Sequence, residues 1–536
     1  MPWPEEPLPP IREELHFGDR RVRCFINRPA GVPAMLASAL ERNPDGEALV
    51  AGDLRLSYRQ LAGQVGRTAA ALAALGVGPG DRVALLLGNR PEFLIVLLAT
   101  LDLGAIVVPI SIREQTPGIT YMLAQSAARV MVHEAELADR LPEPARLPAL
   151  EHRLAVGGAS ALSRRLEDLI DGVRRTPRHD GAEEDTAVIL YTSGTTGRPK
   201  GAMLTHINIV HSVLHYALAM DLGPRDRSLL AVPASHVSGL VAVLLAMIHA
   251  AGCSIMLPAF KARGFLEQAA RERITHAVLV PAMYNLCLLE PELAGFDLGA
   301  WRIGGFGGAP MPEATIASLA GLLPHLRLMN LYGATETTSP AAMMPAHHTA
   351  GRTDAVGLAV PCGELKIMDA AGRELPEGAA GEVWIGGPMV VPGYWREPEL
   401  TAAAFERGFW RSGDIGALDR DGYLRIFDRL KDMINRGGYK VYSAEVENRL
   451  CQHPGVLEAA VVARPDPVLG EKVQAFVAGR TPDLSGHDLR AFCAQALADY
   501  KVPDVITIST EPLPRNANGK LIKSALRERA ARETAG

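Results

Sequence analysis

The 536-residue chain has no closely spaced cysteines. Cys24, Cys253, Cys287, Cys362, Cys451 and Cys493 are scattered, and none forms a CxxC pair. This argues against both a disulfide scaffold and structural zinc, and points to a reducing cytoplasm. A basic excess is missing too: 55 Lys and Arg face 60 Asp and Glu, a net charge of −5. No general nucleic-acid surface is expected from that balance. The opening stretch, MPWPEEPLPPIREEL, is acidic and Pro-rich, the wrong chemistry for a signal peptide, and ARETAG at the end matches no lipidation or peroxisomal address.

One long stretch lacks charge. Residues 238–260, 23 in all, contain no Lys, Arg, Asp or Glu. That is long enough for a membrane helix. However, His249, Gly252, Ser254 and Pro258 break it. It reads as a buried helix over 239–251, a stop at Gly252 and a buried strand over 253–257.

With 48% apolar and 21% charged residues, the chain reads as a globular enzyme large enough for two or more domains. Gly at 52 and Pro at 39 exceed average use, together roughly 12% of residues, and predict many turns and backbone-approach loops. Apolar runs at 83–87, 106–110, 187–191, 229–232 and 277–280 read as buried strands. Helical patterns at 58–75 and 91–101 lie between strands, and Gly76 stops the first helix. Such alternation predicts parallel sheets covered on both faces. After about residue 355 the segments shorten and turns multiply. Strand signals at 381–385 and 422–427 are hairpin-like, and the last hundred or so residues read as a small α+β domain.

The strongest chemical signal is Tyr191-Thr-Ser-Gly-Thr-Thr-Gly-Arg-Pro-Lys-Gly201, directly after the apolar run 187–190. Its glycines, hydroxyls and Lys200 suit a loop wrapped around polyphosphate. It is not a Walker A loop, because Lys200 comes three residues after Gly197. The glycines at 304, 305, 307 and 308, before Ala309-Pro310, would let backbone approach a flat ligand.

The 191–201 string closely resembles the signature loop of the adenylate-forming, or AMP-binding, superfamily of acyl-CoA synthetases, aryl-CoA ligases and luciferases. Leu56-Ser-Tyr-Arg-Gln-Leu61, Gly104-Ala-Ile-Val-Val-Pro109, Gly307-Gly-Ala-Pro310, Tyr332-Gly-Ala-Thr-Glu336, Gly381-Glu-Val383, Arg411-Ser-Gly-Asp414, Asp428-Arg-Leu-Lys-Asp432 and Asn516-Ala-Asn-Gly-Lys520 follow the same family in order. The resemblance implies an α/β fold: a large N-terminal adenylation domain, 1–428, of stacked, mostly parallel sheets with flanking helices and a β-barrel-like part. A small mobile α+β domain, 431–536, follows a hinge at 429–431.

The resemblance also implies roles. Thr192, Ser193, Gly194, Thr195, Thr196, Gly197 and Lys200 hold the ATP phosphates, with Thr192 and Lys200 also catalytic. Gly307, Gly308, Ala309, Pro310, Tyr332, Gly333 and Thr335 surround adenine and the α-phosphate, Glu336 binds Mg²⁺, and Asp414 with Arg429 holds the ribose. Lys520 is the adenylation lysine, Lys431 the hinge, and Gly437 and Gly438 serve the CoA step. His236, Val237, Gly239, Phe306 and Gly307 line the acid pocket. Relatives usually have Pro-Leu-Phe-His where this chain has Pro233-Ala-Ser-His236, and many carry Lys at the position of Asn435.

The implied reaction is acid activation by ATP and Mg²⁺ through an acyl-adenylate, then thioester formation with CoA. The acid is expected to be an apolar fatty or aromatic one, because segments 234–240, 304–308 and 337–344 carry no Lys, Arg, Asp or Glu. The alternatives are a stand-alone enzyme loading a carrier protein and a nucleotide-binding scaffold without turnover. The expected partners are small molecules only, without nucleic acid or a membrane span, and a homodimer stays open.

Overall fold

The computed structural model describes residues 8–158, 160–170, 179, 181–192, 198–480, 484–515 and 521–535. Chain contacts divide it into two compact units. The larger holds Met1–Met311, Ile316–Leu365 and Ile385–Arg411; the smaller holds Pro312–Thr315, Lys366–Trp384 and Ser412–Gly536.

Two sheets dominate the larger unit. The seven-stranded one runs in the order Lys200–Thr205, Thr186–Thr192, Ile106–Pro109, Arg82–Leu86, Val130–Glu134, His152–Val156, Arg164–Arg165. Only its first pair is antiparallel. The nine-stranded sheet has a parallel centre: Arg327–Tyr332, Ile303–Gly307, His276–Leu279, Arg227–Leu230, Cys253–Met256 and Glu47–Ala51. Antiparallel strands edge it on both sides. The parallel strands are almost wholly buried, which is why they read as unbroken apolar runs.

Local chemistry sets the helix bounds. Helix Tyr58–Ala74 starts in a capping box: Ser57 Oγ accepts from the Gln60 N–H, and Gln60 Oε1 accepts from the Ser57 N–H. Gly76 takes φ 82° just past its end. Helix His206–Met220 opens on a similar reciprocal pair, Thr205 with Asn208, and ends at left-handed Asp221.

The uncharged stretch departs from its reading in two ways. It is wound as a π-helix over Ser238–Leu245 and only then as an α-helix over Ala246–Ala250. The left-handed stop is Ala251, at φ 55°, rather than Gly252. Gly252 is needed for close approach, because a Cβ there would lie 2.7 Å from the Asp226 carbonyl oxygen. No helix among the described residues is long and apolar enough to cross a membrane.

In the smaller unit, residues 414–418 pair antiparallel with strand Leu424–Arg429, from Leu418↔Leu424 to Asp414↔Arg429. A separate five-stranded sheet has Tyr439–Val441, Ile434–Arg436, Gly470–Gly479 and Val456–Asp466 in order, with Val505–Ser509 beside Gly470–Gly479. Its apolar face packs on helices Ser443–Cys451 and Gly486–Ala494 through Val446, Leu450, Leu489 and Cys493. This is the small α+β body expected from the sequence.

Candidate active site

The signature loop joins the two strands of a hairpin. Thr186–Thr192 and Lys200–Thr205 pair antiparallel, with Thr192 directly opposite Lys200. The pairing therefore holds a hydroxyl and an ammonium on facing strand residues. Ser193, Gly194, Thr195, Thr196 and Gly197 lie outside the described residues.

Strand Lys200–Thr205 runs against the single 3₁₀ turn Thr335–Thr337. The turn is held locally: the Ala334 N–H donates to Thr337 Oγ1 at 2.9 Å. It follows Tyr332 and Gly333 at the end of strand Arg327–Tyr332. The Glu336 carboxylate is 8% exposed and accepts one hydrogen bond, from the Tyr394 hydroxyl at 2.9 Å on Oε1. Among the described residues no cation pairs with it. Lys200 instead places Nζ over the Tyr394 ring, 5.2 Å from its centroid. Burial and the neighbouring Glu336 charge push the Tyr394 phenol well above its usual range, so it stays a donor.

The glycine-rich strand Ile303–Gly307 has a packing explanation at most of its glycines. Cβ atoms on Gly304 and Gly305 would lie 2.8 Å from Tyr284 Oη and Leu331 Cδ1, and one on Gly307 would overlap the Leu331 carbonyl oxygen. Gly308, at φ 77°, is the open position, with nothing nearer than Val280 at 4.0 Å. Phe306 is 2% exposed and sits in the core with Ala231, Leu279 and Tyr284. Ala309 and Pro310 follow as exposed loop residues. Val237 and Leu240 are buried, and Gly239 fits only because a Cβ would collide with the Pro233 carbonyl. His236 is half-buried, and its Nδ1 accepts from the Ser238 N–H at 3.3 Å.

In the smaller unit, Arg429 Nε meets Asp414 Oδ1 at 2.8 Å, as their cross-strand register dictates. Asp414 is buried while Arg429 is partly exposed. Lys431 is exposed and follows Leu430, whose N–H donates to the Gly413 carbonyl at 2.7 Å. Gly437 and Gly438, at φ 58° and 92°, form the two-residue turn between Arg436 and Tyr439. Two consecutive positive φ values define the hairpin turn that glycine allows. Lys520 lies outside the described residues.

Comparison with known proteins fits this layout. Residues 36–395 match the model for AMP-binding enzymes, and residues 445–520 match the AMP-binding enzyme C-terminal domain.

The chain belongs to the AMP-binding enzyme family.

A feruloyl-CoA synthase from Amycolatopsis is 36% identical over 91% of this chain and 96% of its own length. A fatty acid–[acyl-carrier-protein] ligase, ScoC of Streptomyces coeruleorubidus, is 34% identical over 91% and 94%. ATP-bound MatB from Rhodopseudomonas palustris superposes with a TM-score of 0.86 at 31% identity, covering 93% of this chain and 98% of that one. The chain is thus an acid–thiol ligase of an ATP-using, adenylate-forming family.

The site tests the metal that this family implies. A carboxylate as buried as Glu336 costs several kcal/mol unless a counter-charge meets it. No described side chain supplies one, so this carboxylate fits a hard divalent cation. One site residue was not singled out from the sequence, Tyr394. Tyr394 is 58 residues from Glu336 and acts only through the fold. Its local signal was the Gly393-Tyr394-Trp395 triplet, which by itself marks only a turn.

Proposed function

We propose that the protein is an ATP-dependent carboxylic acid:CoA ligase acting on an apolar monocarboxylate, medium-chain aliphatic or simple aromatic. The buried Glu336, met by no described cation, with Lys200 set over the ring of the same Tyr394, carries this reading. It is an arrangement for charge that arrives with a triphosphate.

In the first step a substrate carboxylate oxygen attacks the α-phosphorus of ATP in line and pyrophosphate leaves. Catalysis is mostly positioning and charge neutralisation. Lys200 and Thr192 hold the outer phosphates at the hairpin mouth, and Tyr332 lies along the base. Asp414, oriented by Arg429, accepts from the ribose hydroxyls. Mg²⁺, when bound at Glu336, offsets phosphate charge. Lys520 is assigned the charge that forms at the attacked phosphate.

In the second step the CoA thiol attacks the acyl carbonyl and AMP leaves. The Gly437-Gly438 turn serves this half, after a rearrangement about Lys431.

The acid assignment rests on segments 234–240 and 337–344, which contain no Lys, Arg, Asp or Glu. Val237, Leu240, Met343 and Met344 are all buried there. An ammonium or a second carboxylate would be unpaired among them. The six free cysteines support a reducing cytoplasm.

The similarity to ScoC favours one further reading, in which a carrier-protein phosphopantetheine replaces CoA. The test is product analysis with ATP, Mg²⁺, octanoate or benzoate, and either CoA or a phosphopantetheinyl carrier. Acyl-CoA is expected. Acyl-adenylate that transfers only to the carrier would select the second reading.

A further inference from the structure

Tyr394 contacts both Glu336 and Lys200 and is fixed from several sides. Its backbone bridges Ala202, two residues after Lys200 on the same strand. The flanking residues add bonds: the Met203 N–H donates to the Gly393 carbonyl at 3.1 Å, and the Trp395 N–H to the Gly201 carbonyl at 2.7 Å. The preceding segment is strapped down as well. Arg20 donates to the Val390 carbonyl at 2.9 Å, and Asn208 Nδ2 to the Pro388 carbonyl at 2.7 Å. The Val391 N–H donates to the Glu336 carbonyl at 3.0 Å, which ties the segment to the turn it supports.

The side chain is equally constrained. Its ring is 5% exposed and packs edge-on to Phe405 at 5.7 Å. The phenol donates its proton to Glu336 Oε1 at 2.9 Å, since a carboxylate can only accept. The phenol edge therefore orients Glu336 while the ring face holds Lys200.

We infer that Tyr394 is the positioning residue of the adenylation half-reaction: its hydroxyl presets Glu336 for the divalent cation and its ring presets Lys200 for the ATP phosphates. The inference rests on the metal role proposed for Glu336.

The two functions separate by substitution. Tyr394→Phe keeps the ring and removes only the donor. It leaves a buried carboxylate oxygen without its hydrogen bond and free to rotate. Tyr394→Leu removes the ring as well.

The experiment titrates Mn²⁺ into each purified protein by the free-Mn²⁺ paramagnetic resonance signal. The probe complex uses an ATP analogue with a methylene bridge between the α and β phosphorus atoms. Steady-state pyrophosphate release is measured in parallel, and melting temperatures confirm folding. Tyr394→Phe is expected to weaken Mn²⁺ binding about tenfold with the KM for ATP within about twofold of the parent. Tyr394→Leu is expected to weaken Mn²⁺ binding similarly and raise the KM for ATP several-fold.

Mn²⁺ affinity unchanged in Tyr394→Phe but lost in Glu336→Gln would overturn the role of the hydroxyl and leave the metal reading standing. Equal KM for ATP in the Phe and Leu variants would overturn the role of the ring. Mn²⁺ affinity unchanged in Glu336→Gln would overturn the metal reading and this inference with it.

Discussion

Asp414 gives the sharpest test of a single contact. It is buried, and its Oδ1 meets Arg429 Nε at 2.8 Å, so the carboxylate proposed to hold the ribose is oriented in advance. A hydrogen bond from a neutral hydroxyl to a charged group contributes about 1.5–3 kcal/mol, or roughly 10- to 150-fold in binding. Replacing ATP by 2′-deoxy-ATP removes one such hydroxyl. The parent enzyme is therefore expected to prefer ATP at least about tenfold in kcat/KM. In Asp414→Ala the partner of that hydroxyl is gone, and the preference should fall to about twofold or less. Arg429→Leu should lower the preference only partly. Arg429 is partly exposed, and such pairs contribute about 0–1 kcal/mol. The assay is pyrophosphate release at varied nucleotide concentration, run for both nucleotides on all three proteins. Full retention of the preference in Asp414→Ala would refute the ribose assignment, because the two deletions would then be independent.

Other expectations follow from the same geometry. Gly437→Val forces a branched side chain into φ 58°; it should slow thioester formation from supplied acyl-adenylate at least about tenfold while pyrophosphate release is kept, and equal loss of both would argue against a role confined to the second step. Lys520→Ala should do the reverse, slowing adenylation at least about a hundredfold and sparing the thiol step in the same paired assay. Burial pushes His211, His249 and His276 down to about 4, so they stay neutral in the fold while the unfolded chain takes up protons near roughly 6.5. Stability should therefore be full above about pH 6.5 and fall as the pH drops towards 4, by up to about 3 kcal/mol per histidine; thermal melts that are flat from pH 7 to 5 would contradict this.

Much of the site could be read from the sequence because its chemistry sits in short contiguous strings. The 191–201 string starts on one strand and ends on its partner, and the register sets Thr192 against Lys200. Asp414 and Arg429 were named together for the ribose from two separate strings, and hairpin pairing places them in direct contact. What stayed hidden depended on long-range packing. Nothing local ties Tyr394 to Glu336. The glycines at 304, 305 and 307 read as a ligand-approach segment, yet contacts with Tyr284 and Leu331 already explain their missing side chains.

Winding was illegible in the uncharged stretch. An all-apolar run has no polar face to mark its period, so the π-helix Ser238–Leu245 left no signature. The run expected at 229–232 forms Arg227–Leu230 instead. Arg227 masks the start because its guanidinium is neutralised by Glu47 and Glu272, each at 2.7 Å, and the strand can begin on a charge.

The most direct test of the central claim is a product balance. The protein is incubated with ATP, Mg²⁺, CoA and either octanoate or benzoate, and AMP, ADP, pyrophosphate and acyl-CoA are quantified together. The account predicts AMP, pyrophosphate and thioester in equal amounts, all dependent on the acid, with malonate and free amino acids turned over far more slowly. ADP and inorganic phosphate as products, or pyrophosphate release indifferent to the acid supplied, would contradict it.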